Sequence, residues 1–153
     1  MSTHSNPEQQ RMEEALRGSA EMVSTQFAGT INDWLAPHFE SCDDAARSYT
    51  CSFIMRKEYA NPSGVALHGG LTGVLFDTAM GHLATFYSGS MTPTISLNIS
   101  YLLPVPVDRP VFVRVHMDKP GNIVHYLSGE LFTADAPDKI LATASGVYLS
   151  PAK

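Results

Sequence analysis

The sequence is poor in cysteine and contains no long hydrophobic run. Its two cysteines, Cys42 and Cys51, cannot form a disulfide framework, and their spacing matches no common zinc motif. No segment has the roughly 18 consecutive apolar residues of a membrane span. The polar N-terminus lacks the basic end and apolar stretch of a signal peptide. We therefore expect a cytoplasmic protein with reduced thiols and no membrane partner.

Charged residues are also scarce, at 16% of the 153 residues, with 15 acidic and 10 basic side chains. Because neutralising phosphates requires clustered lysine and arginine, the chain is a poor candidate for nucleic-acid binding. Most of the acidic excess lies in residues 1–60, which leaves the remainder near neutral and more tolerant of an anionic ligand. The hydrophobic fraction of 44% excludes a disordered chain. The low charge also suggests a surface covered by another copy.

Hydrophobic periodicity predicts two long helices. The first is a surface helix over about residues 7–27, capped by Asn6. The second covers about residues 67–88, where apolar side chains surround most of the helical wheel, so we expect it to be buried. Residues 29–46 show no clear pattern, and a short strand or turn is expected there.

Two-residue alternation predicts the strands. In residues 94–101, apolar and polar side chains alternate without an error, which predicts a strand with one buried face. Because four strands follow the buried helix through short connections, we expect an antiparallel α+β meander. We take residues 1–28 as a helical extension and 29–153 as one domain. The strands are expected near residues 48–56, 94–101, 111–117, 123–134 and 140–149.

The densest polar cluster is His68-Gly69-Gly70 at the start of the buried helix, followed by Asp77. Free N–H groups and the helix dipole there suit a carbonyl oxygen that gains negative charge during acyl transfer. Gly69 and Asp77 are roughly 12 Å apart along a helix. One chain cannot place both at one carbon, whereas antiparallel helices of two chains can. The alternative is structural: an aspartate that caps a loop and a histidine in a turn.

Four motifs occur in a characteristic order between residues 61 and 104. They are Asn61-Pro62-x-Gly64, His68-Gly69-Gly70, Leu75-x-Asp77-x-Ala79-Met80-Gly81 and Thr94-x-x-Leu97-x-Ile99-x-Tyr101-Leu102-x-Pro104. Together they resemble the hotdog-fold acyl-CoA thioesterases, in the branch that contains phenylacetate-pathway and 4-hydroxybenzoyl-CoA thioesterases. The similarity covers about residues 48–150. One departure is the loop of three residues between Gly64 and His68, where the family usually has two.

The resemblance implies a long central helix wrapped by a curved antiparallel sheet. It implies a homodimer, often paired into a tetramer, with sites at the subunit interface and no metal or bound cofactor. Asp77 matches the catalytic base or nucleophile, and Gly69 the N–H that polarises the thioester carbonyl. His68 matches a residue that lines the site, Asn61 a polar residue near the reacting centre, and Thr94 a hydroxyl that helps hold the water.

The substrate groups are less defined. The aryl or medium-chain acyl group is expected to contact Gly70, Phe76, Met80 and Tyr101. Candidates for the CoA phosphates are Arg109, Arg114 and Lys119. Acyl-CoA hydrolysis is the preferred function. Two alternatives stay open, a dehydratase or hydratase of hydroxyacyl and enoyl thioesters, and an acyl-CoA-binding module without turnover.

Overall fold

The N-terminal helix begins at its predicted cap. In the computed structural model, which describes residues 6–151, the side chain of Asn6 accepts a hydrogen bond from the Glu8 N–H at 3.1 Å. This satisfies one of the N–H groups that a helix start leaves without a partner. Helix α1 spans Pro7–Gln26 and buries the stripe of Met12, Leu16 and Val23, as its periodicity predicts.

The central helix, α3, spans Gly69–Ser88. His68 caps its start, because Nδ1 accepts from the Gly70 N–H at 3.0 Å. Gly89 ends it with a φ of 76°, a left-handed conformation that favours glycine. The helix is nearly apolar all round and lies against the sheet, and the fully buried Leu75, Phe76, Met80 and Leu83 belong to the common core.

Six strands form one antiparallel sheet that wraps α3, which is the hotdog fold expected from the sequence. The order across the sheet is β1-β2-β4-β5-β6-β3. A short 3-10 helix at Lys57–Tyr59 leads toward α3. The strand bounds are β1 His38–Asp43, β2 Ser48–Phe53, β3 Thr94–Tyr101, β4 Val111–Lys119, β5 Val124–Phe132 and β6 Ala142–Leu149.

The structure differs from the sequence expectations in two elements. Residues 29–46 contain the expected short strand, β1, but also a short helix, α2 (Ile31–Leu35), that the sequence did not predict. The four strands after α3 do not form a simple meander, because β3 pairs with β6 and not with the next strand, β4. The connection of residues 102–110 therefore passes β6 and β5 before the chain enters β4.

Strand β3 lies at the edge of the sheet and is largely exposed. The predicted apolar face is present, but Ile95 and Tyr101 are 55% and 57% exposed, and Leu97 and Ile99 are half-buried. An apolar edge strand with unpaired backbone groups invites pairing with another chain.

Helix α1 is fastened to β1 by both polar and aromatic contacts. The Gln9 amide donates to the Cys42 carbonyl at 2.9 Å and accepts from the Asp44 N–H at 2.8 Å. About two turns further along α1, the Arg17 guanidinium lies 4.1 Å from the centroid of the Phe39 ring. The N-terminal helix is thus part of the packed structure. No helix within residues 6–151 is long and apolar enough to cross a membrane.

Candidate active site

Asp77 lies on α3 with one carboxylate oxygen fixed by two hydroxyl groups. Its Oδ1 accepts from Thr94 Oγ1 at 2.6 Å and from the Tyr148 hydroxyl at 2.8 Å. Within residues 6–151 no group donates to Oδ2. The side chain is half-buried, so the second oxygen has access to a substrate or a water molecule.

The pairing of β3 with β6 brings the two hydroxyls together. Thr94 and Tyr148 are opposite each other in the antiparallel register. Tyr148 is almost fully buried, and burial raises the pKa of its hydroxyl, with the Asp77 charge as a further cause. The tyrosine therefore stays protonated and donates to the carboxylate throughout the neutral pH range. Sequence reasoning missed Tyr148, although the alternation of β6 places it on a buried face.

A cavity of about 400 Å³ adjoins this carboxylate. Asp77, Thr94 and Tyr148 line one part of it, and α1 and the segment after α3 line another. The remaining lining residues are Ser19, Met22, Val23, Gln26, Phe27, Asn32, Thr78, Gly81, His82, Thr85, Met91 and Thr92.

His82 lines the same cavity and is half-buried. Burial lowers its pKa to about 4, so the ring is neutral at pH 7. Its Nδ1 lies 3.4 Å from the hydroxyl of Tyr49 on β2, a long contact between α3 and the sheet. His82 is packed against the core and forms no direct pair with Asp77.

The start of α3 forms a second polar cluster. Gly69 is half-buried, its carbonyl accepts from the Tyr101 hydroxyl at 2.8 Å, and a Cβ at this position would lie 3.3 Å from the tyrosine ring. The Gly69 N–H has no acceptor within the described residues, whereas the Gly70 N–H is occupied by His68. Gly69 is therefore the glycine that leaves a backbone donor available to a carbonyl oxygen.

Asn61 belongs to this second cluster. Its Oδ1 accepts from the Ser63 N–H at 2.9 Å in a tight turn. Asn61, Gly69 and Tyr101 line a separate cavity of about 500 Å³. Within one chain, the predicted site residues thus form two groups, with Asp77 and Thr94 in one and His68, Gly69 and Asn61 in the other. Gly69 and Asp77, one from each group, lie about two turns apart on α3, as the sequence predicts.

Two expected substrate residues are elsewhere. Phe76 and Met80 are fully buried, and both pack toward Gly129 of β5. They line neither of the two cavities beside the polar clusters, because their face of α3 points to the sheet. Within one chain they belong to the core, away from both polar clusters.

Two of the three candidate phosphate ligands, Arg109 and Arg114, are already paired with acidic side chains. Arg109 pairs with Asp108 at 3.0 Å and with Asp135 at 3.4 Å. Arg114 lies 3.7 Å from Glu130 and also covers the Phe132 ring. Lys119 ends β4. No group of metal-ligating side chains is found among residues 6–151.

Comparison with known proteins extends the resemblance. A sequence profile of the thioesterase superfamily matches residues 65–139. Acyl-coenzyme A thioesterase 13 of Homo sapiens and of Pongo abelii are each 31% identical over 94 residues, which are 60% of this chain. The match spans 65% of the length of those relatives.

Solved structures share the fold. A phenylacetic acid degradation-related protein from Ralstonia eutropha is 25% identical with a TM-score of 0.73, over 91% of this chain and 98% of the other. Thioesterase superfamily member 2 from Mus musculus is 18% identical with a TM-score of 0.71, over 96% of this chain and 100% of the other. The second likeness shows the fold alone. Both alignments include most of the elements around the two polar clusters.

Proposed function

We propose that this chain is a member of the thioesterase superfamily and hydrolyses an acyl-CoA thioester to a carboxylic acid and free CoA. The acyl-CoA thioesterases among its relatives support this substrate class. In this proposal the chain's own carboxylate and backbone N–H act on the thioester without a bound metal or cofactor, and CoA enters as part of the substrate. Both cysteines are free, which supports a reducing, cytoplasmic compartment.

The observation that carries the proposal is the geometry of Asp77. Two hydroxyl donors fix Oδ1 and leave Oδ2 open toward a cavity. A carboxylate held in one rotamer can accept a proton from water or attack a carbonyl carbon without first losing conformational freedom.

As a base, Asp77 takes a proton from water, and the water oxygen attacks the thioester carbon. As a nucleophile, it forms a mixed anhydride that water then hydrolyses. In both cases the carbonyl oxygen becomes negative, and the Gly69 N–H of the partner subunit stabilises it. In the base route the C–S bond then breaks, and the CoA thiolate takes the proton that Asp77 holds. In the nucleophile route the C–S bond breaks as the anhydride forms, and the thiolate takes its proton from the water that later hydrolyses the anhydride.

A homodimer with sites at the interface follows from the distance along α3. Gly69 and Asp77 are eight residues apart on one continuous helix, roughly 12 Å. The exposed apolar edge of β3 supports a second copy beside this helix. Pairing of two dimers into a tetramer is part of the same proposal.

Asp77→Asn tests the assignment, because the amide keeps the shape of the side chain and removes the base. We expect CoA release to fall by at least about a hundredfold, in line with general acid–base catalysis, while acyl-CoA still binds. Asp118→Asn, at an exposed position near the end of β4, is the control. Near-normal hydrolysis by Asp77→Asn contradicts the proposal. Conversion of an enoyl-CoA without release of thiol indicates the dehydratase instead, and binding without any product indicates the binding module.

A further inference from the structure

We propose that the neutral acyl group of the substrate lies in the cavity between α1 and α3, and that Gly81 determines how large it can be. The inference deepens the proposed hydrolysis and rests on it, because the thioester carbon must reach Asp77. It assigns a role to the N-terminal helix, which the sequence left undefined.

The cavity begins at the proposed base. Asp77, Thr94 and Tyr148 line it on one side, while Met22 and Phe27 line it on the side of α1. Its volume of about 400 Å³ is within the usual range of small-molecule sites, roughly 300–1,000 Å³. An acyl group whose carbonyl lies at Asp77 therefore has space to extend between the two helices.

Gly81 provides part of that space. It is four residues after Asp77, one turn along the same face of α3. A Cβ at Gly81 would meet nothing within 4 Å. The other glycines of α3 differ, because a Cβ at Gly69, Gly70 or Gly73 would lie 3.2–3.3 Å from a side chain.

A helical glycine costs about 1 kcal/mol relative to alanine. Within residues 6–151 no neighbouring atom requires glycine at position 81, so contacts within one subunit do not explain why a glycine is present. The open volume at Gly81 adjoins the cavity that contains Asp77. This is the position where even a small side chain would narrow the path of an acyl group.

The lining residues specify the chemistry of the occupant. Among the described residues, the lining has no lysine or arginine that could pair with a carboxylate at the far end of an acyl group. The Thr78 hydroxyl donates to Asn32 Oδ1 at 3.2 Å, so these two polar groups are paired with each other. Met22, Phe27 and Met91 add apolar contact area. Along α3 the lining runs from Asp77 to Thr85, a path of about 12 Å. These features suit an uncharged medium-chain or aryl acyl group and disfavour acyl groups that end in a carboxylate.

Gly81→Val tests the inference, with Gly18→Val as the matched control. Gly18 is also a helical glycine, on α1, where a Cβ meets nothing within 4 Å, and it does not line the cavity. The substrates are acetyl-, hexanoyl-, decanoyl-, phenylacetyl- and succinyl-CoA, with released thiol as the readout. We expect Gly81→Val to lower kcat/KM for decanoyl- and phenylacetyl-CoA at least about tenfold more than for acetyl-CoA. Gly18→Val should keep the wild-type preference.

An equal effect of Gly81→Val on all acyl lengths overturns the inference, as does efficient hydrolysis of succinyl-CoA. A binding measurement distinguishes a failure of this inference from a failure of the proposed hydrolysis. If the wild-type chain releases no CoA, calorimetry measures decanoyl-CoA binding to Asp77→Asn with and without Gly81→Val. At least about tenfold weaker binding in the double variant supports the acyl site. Equal binding, or none to either variant, rejects it even though hydrolysis has already failed.

Discussion

The Tyr148 hydroxyl donates to Asp77 Oδ1 at 2.8 Å across 71 positions of sequence. Tyr148 lies on β6 and Asp77 on α3, so the hydrogen bond joins the sheet to the central helix. Because burial keeps the tyrosine protonated, the bond fixes the carboxylate without competing for its proton. The reactivity proposed for Asp77 thus depends on a residue outside every motif that the sequence presents.

Tyr148→Phe should lower kcat while leaving the fold intact, because the ring still fills its buried place. Hydrogen bonds to a charged group contribute about 1.5–3 kcal/mol, which corresponds to a loss of roughly ten- to a hundredfold. Tyr126→Phe removes a hydroxyl from a tyrosine that is 46% exposed and serves as the control. Steady-state hydrolysis with thermal unfolding measures both effects. Wild-type kcat in Tyr148→Phe would show that Thr94 alone positions the carboxylate.

Subunit mixing tests whether Gly69 and Asp77 act from different chains. Gly69→Pro removes the N–H at the first helical position, where proline is well tolerated, and His68 before it is already extended at ψ 130°. Gly69→Ala keeps the N–H and brings a Cβ against the same Tyr101 ring. It is therefore the control for the added bulk.

Asp77→Asn and Gly69→Pro should each be inactive. Mixed and refolded together, they should regain up to about a quarter of the wild-type rate, because each heterodimer has one site with both native groups. No regain, with heterodimers present by mass spectrometry, would show that both groups act within one chain.

The edge strand offers a direct test of assembly. Ile95→Lys places a charge on β3, where 55% of the isoleucine is exposed in one chain, and charge on an edge strand opposes pairing. We expect a shift toward monomer and a parallel loss of activity in sedimentation velocity and thiol-release measurements. Ile123→Lys, at the β4–β5 turn with 74% exposure, should leave the sedimentation coefficient unchanged. An active Ile95→Lys monomer would refute the shared site.

His82 should make the fold sensitive to acid. Its folded pKa is about 4, against 6.5 when unfolded, because burial disfavours the charged ring. Below pH 6.5 the unfolded chain therefore binds a proton that the folded chain does not. Stability is complete above that pH and falls by up to about 3 kcal/mol as the pH approaches 4.

Urea unfolding of the wild type and His82→Gln at pH 7 and about pH 4.5 isolates this contribution. The wild type should lose more stability between the two values than the variant does. The pKa of His125 is also lowered by burial, and its effect has the same sign, but it is common to both proteins. Identical losses would assign the acid sensitivity to other groups.

The sequence was most informative where structure is local. The Asn6 cap, the helical periodicity and the two-residue alternation identify α1, α3 and most strands, because each depends on neighbours along the chain. The order of the strands in the sheet was harder to predict. A short loop favours adjacent pairing, yet β3 pairs with β6, and only packing around the whole of α3 determines that choice.

The same distinction applies to the site. Motifs made Asp77 and Gly69 candidate site residues, and the helical rise predicted their separation along α3. The sequence could not predict which apolar residues of α3 point toward the sheet, because a helix that is apolar on most sides has no distinct hydrophobic stripe. Phe76 and Met80 were therefore expected beside substrate, although they pack on the sheet.

The position of β3 in the sheet also affects the order of folding. Thr94 and Tyr148, which become partners across β3 and β6, are 54 positions apart, whereas β4, β5 and β6 are joined by local hairpins. Closing the longer loop costs more chain entropy and should follow hairpin formation. The hydroxyl pair around Asp77 then forms in a late folding step. A partly folded chain should consequently have its helix and its local hairpins before it has a positioned carboxylate.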